Sequence, residues 1–189
     1  MSRRRGWIGH ASLVATGVLA LASIASAQSS GNLRPKGDLA QGASARTEIL
    51  TYDNWTVTCR DGQPKEKRVC SAELAISQET NNQRRVVFAW LMGLGKDNVP
   101  TSAFRFLPGV SIAPGLELKF PEKAVRKVPI TVCEPTHCEA TAPMDDAFVK
   151  EAAAAIQAEV VVNASDGRQV TFTVNMKGFS QALAAVRKP

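Results

Sequence analysis

The sequence predicts a mainly β protein: a single antiparallel, β-sandwich-like domain with two short helices and two local disulfides. Three observations predict it. Nine short segments carry either the period-2 alternation of a half-buried strand or a brief apolar run, and Pro/Gly turns separate them. Only two segments have helical character, and they do not alternate with strands as a parallel α/β fold requires. The four cysteines fall in two close pairs, 59/70 and 133/138, in a chain that opens like an exported protein.

Residues 1–27 read as a cleavable signal peptide. Arg3, Arg4 and Arg5 form a positive start, an apolar stretch follows from about Ile8 to Ile24, and Ala25-Ser26-Ala27 supplies a small-x-small cleavage pattern. Gln28 is then the expected mature N-terminus. The stretch is short and interrupted by Gly17 and Ser23, which argues against a retained anchor and leaves no transmembrane segment expected after cleavage. Gly6 and Trp7 fit a twin-arginine signal poorly, so ordinary secretion is expected. No cysteine at the cleavage site offers a lipid attachment point. The expected location is the periplasm or, if secreted, the outer surface. Residues 28–47 have few large apolar side chains to offset the entropy of ordering them, and are expected to be a flexible linker. The domain is expected over 48–189.

The strands follow in order. Trp55, Val57 and Cys59 alternate with Asn54, Thr56 and Thr58, and Cys70, Ala72, Leu74 and Ile76 alternate with Ser71, Glu73 and Ser77. Val86 to Leu91 is continuously apolar, as in a central strand covered on both faces. Ala103–Leu107, Leu116–Phe120, Val128–Cys133 and Cys138–Ala142 are further strands, punctuated by Pro108-Gly109 and Pro114-Gly115. Asp145 is a plausible N-cap for a helix over about Asp146–Gln157, which has an acidic first turn and a run of alanines. Val160-Val161-Val162 begins a strand, Ser165-Asp166-Gly167 makes a hairpin turn, and Val170, Phe172, Val174 and Met176 alternate with Thr171, Thr173 and Asn175. Phe179, Leu183 and Val186 stand at helical spacing and predict a short terminal helix packed on the sheet.

Four cysteines allow three pairings. Cys59 and Cys70 are each in phase with the apolar face of their own strand, and a hairpin brings those faces together. Cys133 and Cys138 are separated only by Glu134-Pro135-Thr136-His137, a turn-like spacer short enough to bridge. Two local disulfides, Cys59–Cys70 and Cys133–Cys138, are the economical solution. A zinc site through Cys133, His137 and Cys138 is disfavoured because the last two are adjacent in sequence. A thiol–disulfide redox role for Cys133 and Cys138 would depart from the Cys-x-x-Cys spacing at a helix N-terminus.

Other chemistry is sparse, and no catalytic residue, metal ligand or cofactor is expected. His137 is the only histidine after residue 27, so a hydrolase triad would have to pass through it, and no Gly-x-Ser-x-Gly elbow occurs. Asp145 and Asp146 are explained as cap and dipole partner rather than an acid/base pair. Gly93-Leu94-Gly95-Lys96 lacks the spacing of a phosphate loop. Asn163-Ala164-Ser165 is a lone match to a glycosylation acceptor. Trp55 and Trp90 are expected in the core. The formal charge of +6 overstates the mature chain, which has 20 basic and 17 acidic residues, too mild a balance for nucleic-acid binding. Lys65-Glu66-Lys67-Arg68 and Arg84-Arg85 could form a basic contact surface.

One set of motifs resembles a known family. Asp53-Asn54-Trp55-Thr56-Val57-Thr58-Cys59 with Cys70, then Leu107-Pro108-Gly109-Val110 and Pro114-Gly115-Leu116-Glu117-Leu118, then Cys133 with His137-Cys138-Glu139-Ala140, and finally Lys177-Gly178-Phe179-Ser180-Gln181-Ala182-Leu183 occur in the order seen in invasion-associated locus B proteins. The resemblance covers roughly Tyr52 to Val186. His137 departs from the Gly that many members carry before the last Cys. The resemblance implies an exported envelope protein of Gram-negative bacteria and supplies no catalytic residues. Residues and resemblance together lead to a non-enzymatic, disulfide-stapled envelope or secreted protein acting through an envelope or surface protein partner, with a possible host-interaction role. The alternatives are a periplasmic small-ligand carrier using a pocket between sheet and helices, and the redox role of Cys133 and Cys138.

Overall fold

The computed structural model describes residues 46–62 and 67–188. The signal and nearly all of the linker lie outside the described residues. Eleven strands and two α-helices are present among those described: β1 (Thr47–Tyr52), β2 (Trp55–Arg60), β3 (Val69–Thr80), β4 (Gln83–Leu94), β5 (Pro100–Phe106), β6 (Leu116–Lys119), β7 (Arg126–Val128), β8 (Ile130–Cys133), β9 (Cys138–Pro143), α1 (Asp146–Ala154), β10 (Gln157–Asn163), β11 (Gln169–Asn175) and α2 (Phe179–Arg187). They form a seven-stranded sheet ordered β1-β2-β3-β4-β5-β9-β8 and a four-stranded sheet ordered β11-β10-β6-β7. Every named strand pair is antiparallel.

Several elements differ in extent from the sequence reading, β4 and β5 among them, and three of the differences have a clear local reason. β1 has only weak alternation because it is a sheet edge: Ile49 is 65% exposed, and no residue of the strand is fully buried. The expected strand Val128–Cys133 is two strands meeting at Pro129. Proline has no N–H for a ladder, and the chain changes sheets there, with Val128 opposite Leu116 and Ile130 opposite Ala140. Helix α1 stops at Ala154 rather than Gln157. Ala155 is already extended, and Gln157 pairs with Asn175 in the small sheet.

The inner face of the large sheet carries the bulk of the core. Trp55, Trp90, Phe88, Phe104 and Phe106 alternate with outward-facing residues on β2, β4 and β5 and are almost wholly buried. Trp90 Nε1–H donates to the buried Ser102 Oγ at 2.8 Å. Over β1 to β4 the covering element is α2, whose Phe179, Ala182, Leu183 and Val186 form one buried stripe. Phe179 meets Trp55 edge-on at 5.7 Å. Helix α1 is capped by Asp145, which accepts from the Phe148 N–H at 2.6 Å. Arg126 ties β7 to α1 through Glu151 at 2.8 Å, with its guanidinium 5.2 Å from the centre of the Phe148 ring.

Gly178 explains why a glycine precedes α2. Its φ is 88°, and a Cβ there would run into the Tyr52 carbonyl, 2.8 Å from its carbon. The chain therefore passes hard against the β1–β2 turn before the helix begins, and Lys177 reaches Asp53 of that turn at 2.7 Å.

Candidate functional site

The register places Cys59 directly opposite Cys70, and Cys133 opposite Cys138. Both pairs are bonded, and no described cysteine is free. The two staples differ in setting. Cys59 and Cys70 are both 3% exposed and belong to the core. Cys133 is exposed at the end of β8, on a turn closed by the Glu134 N–H donating to the His137 carbonyl at 2.8 Å. That pair sits in a hairpin, away from the helix N-terminus that lowers thiol pKa in oxidoreductases.

The other candidate residues are dispersed. His137 is half-buried beside Thr136, with Nδ1 3.1 Å from the Thr136 hydroxyl. It lines an open hollow of about 270 Å³ on the outer face of the large sheet, with Glu73, Leu91 and Arg105. Arg105 is committed to Glu139 at 2.6 Å, so its charge is neutralised there. Arg68 pairs with Glu48, which leaves less of the expected basic loop unpaired; Lys65 and Glu66 lie outside the described residues. Asp145 and Asp146 start α1 as cap and first-turn acid. In the β10–β11 turn, the backbone N–H and the guanidinium of Arg168 hold the Asp166 carboxyl below its usual range.

The β3–β4 hairpin builds a more distinctive feature. Both strands are twelve residues long, and β5 pairs with β4 only from Phe88 onward. The remaining residues form a two-stranded arm, Ser77–Thr80 with Gln83–Val86. Asn81 and Asn82 both adopt positive φ, the backbone of a two-residue hairpin turn. A register shift between Ile76 and Ser77 leaves Val87 as an extra residue where the arm leaves the sheet. Arg84 opposes Glu79, and Arg85 opposes Gln78.

One hollow runs along this arm from its turn to its base, and a second lies at the base. The first, of about 320 Å³, is lined by Gln78, Thr80, Gln83, Arg85, Val87 and Leu107 among others. The second, of about 220 Å³, is lined mainly by Val87, Phe106, Val110, Val162, Val170 and Phe172. They share Gln78, Val87 and Leu107 as wall residues, so they adjoin: a polar hollow along the arm lies next to an apolar one between the sheets, and the two are termed the groove. Its far wall is pinned. The Gly109 carbonyl accepts from both the N–H and the hydroxyl of Ser165, and the Ser111 N–H donates to the Asn163 carbonyl. By contrast, the space beneath α2 is filled by Phe179, Leu183 and Val186.

Sequence reasoning identified Arg84 and Arg85 but missed the groove. Its walls come from four separated segments, and although Leu107-Pro108-Gly109-Val110 is one of the family-like motifs, nothing in that motif says which segments it meets. The one available signal was that β3 and β4 continue in polar residues past the last core position.

The chain is similar to known proteins. The family described as Invasion associated locus B (IalB) protein matches residues 55–187. Two curated relatives, Invasion protein B homologs of Brucella abortus (strain 2308) and of Brucella abortus biovar 1 (strain 9-941), are each 28% identical over 148 residues, covering 77% of this chain and 82% of theirs. The crystal structure of invasion associated protein b from Bartonella henselae superimposes with a TM-score of 0.62 at 26% identity, covering 74% of this chain and 94% of that one.

Proposed function

The chain belongs to the invasion associated locus B family, and from that premise we propose that it is an exported, non-enzymatic envelope or surface protein that works through protein or cell-surface contacts. The observation that carries this reading is the β3–β4 arm. Its residues beyond Ile76 add no fully buried side chain except Val87, and it presents the exposed Arg84 with Val86, which is 49% exposed. An arm that contributes little to the core and displays a charge beside an apolar side chain is suited to a partner's surface. The names of the Brucella and Bartonella relatives support extending those contacts to host cells. The signal-like segment at 1–27 supports export, and the two disulfides suit an oxidising compartment.

The test is photo-crosslinking in the native host, with a photoreactive residue placed at Val86 and, as control, at Thr173 on the small sheet. A discrete adduct from position 86 and none from 173 is expected, in protein whose intact mass begins at Gln28 and shows no alkylatable thiol. A turnover activity abolished by substituting His137 would overturn the non-enzymatic reading.

A further inference from the structure

We infer that the groove beneath the β3–β4 arm is a binding site for a small amphipathic carboxylate, an apolar chain ending in one anionic head. The inference does not depend on export or on a protein partner. The two hollows, about 220 and 320 Å³, adjoin across Gln78, Val87 and Leu107, and a ligand spanning both would occupy a space in the range of small-molecule sites, about 300–1,000 Å³.

The chemistry of the walls selects the ligand. The inner hollow is lined by Val87, Phe106, Val110, Val162, Val170 and Phe172. Phe172 stacks on Phe88 at 4.8 Å, which fixes one side of that lining. Val170 remains 39% exposed, an apolar side chain at a cleft rather than in a sealed core. The outer hollow carries side-chain amides or a hydroxyl at Gln78, Thr80, Asn81 and Gln83, together with Arg85. Among the described residues, Arg85 is the only charged one lining either hollow, no carboxylate lines them, and no ion pair engages Arg85. An apolar cleft that ends in one uncompensated guanidinium and several hydrogen-bond donors complements a tail followed by a carboxylate; Arg is the side chain best suited to hold such a head.

The experiment titrates isotope-labelled, oxidised protein spanning residues 28–189 with sodium octanoate below its micelle concentration. Amide shifts are followed by NMR, with acetate and octylammonium as head-only and charge-reversed probes. Octanoate is expected to shift Leu107, Val110 and Val170, acetate to bind far more weakly, and octylammonium to bind at least about tenfold more weakly. Arg85→Gln is expected to weaken octanoate about tenfold, and Arg85→Glu to reverse the preference toward octylammonium. Arg85 is exposed on the arm, so both variants keep the core intact. Equal binding of the two charged probes, shifts centred away from the groove, or an Arg85→Gln variant that binds octanoate unchanged would overturn the inference.

Discussion

The large sheet is finished differently at α2 and at the arm. Beneath α2, every residue of the helical stripe is buried, and Phe179 and Trp55 pack edge-on against each other. At the arm, the two strands run past their sheet partners with Gln78, Thr80, Gln83 and Arg85 around a hollow, and Val86 on the arm and Val170 on the neighbouring β11 stay partly in water. Strand pairing alone maintains the arm; volume and shape maintain the helix-covered region. The difference separates stability from recognition on one continuous sheet. Substitutions under α2 should change folding, and substitutions on the arm should change only what the protein binds.

The strongest test of that separation is Phe179→Ala. The side chain is 1% exposed and touches both core tryptophans. Its removal leaves a cavity in a region with no open space to collapse into, and should cost about 4 kcal/mol in denaturant unfolding. A loss under about 1 kcal/mol would mean that α2 is a loosely held cover.

The disulfides are expected next, and they sharpen the contrast between interior and rim. Replacing Cys59 and Cys70 with alanine should cost about 3 kcal/mol, and replacing Cys133 and Cys138 about 2 kcal/mol, from the loop lengths alone. The first pair lies in the core and also loses buried sulfur contacts, so the measured gap should exceed the loop-length difference. An equal cost for both would show that burial of the Cys59–Cys70 bridge adds nothing.

Ser102→Ala follows. Ser102 is the only fully buried polar residue among those described, and it accepts the Trp90 N–H. Its loss would orphan a donor at the centre of the sheet and should cost about 1–2 kcal/mol. Arg85→Gln, on the arm, should stay within about 0.5 kcal/mol of the parent in the same unfolding experiment.

The helix-covered region was far more legible in the sequence than the arm. Phe179, Leu183 and Val186 announce their buried face by spacing, and Cys59 and Cys70 announce their pairing because each is in phase with an apolar strand face. These are local patterns with one physical solution. The edge strand β1 gave no such signal, since an edge strand can leave Ile49 in water. The sheet change at Pro129 is visible only once partners are known, because proline marks a break without saying where the next strand pairs. The groove was the least legible. It depends on the length of the β3–β4 pairing, on one extra residue at Val87 and on a loop clamped to Ser165, none of which a period of hydrophobicity encodes.

The smallest expected effect sits where the helix-covered region meets solvent. Asp53 accepts a hydrogen bond from Lys177 at 2.7 Å, and this bond, reinforced by charge attraction, raises the Lys177 pKa above its ordinary value. A raised lysine stabilises the fold fully at pH values below its unfolded pKa of about 10.4, and that contribution is lost as pH rises through the higher folded value. Asp53→Asn should therefore return the Lys177 titration to the ordinary lysine range, read by NMR of its side chain. It should also remove the corresponding fall in stability above about pH 10. Because Lys177 is exposed, the change at neutral pH should be slight. A large loss at neutral pH would instead mean that Asp53 positions the β1–β2 turn beneath Gly178, and that the boundary between the two regions is held by backbone fit rather than by charge.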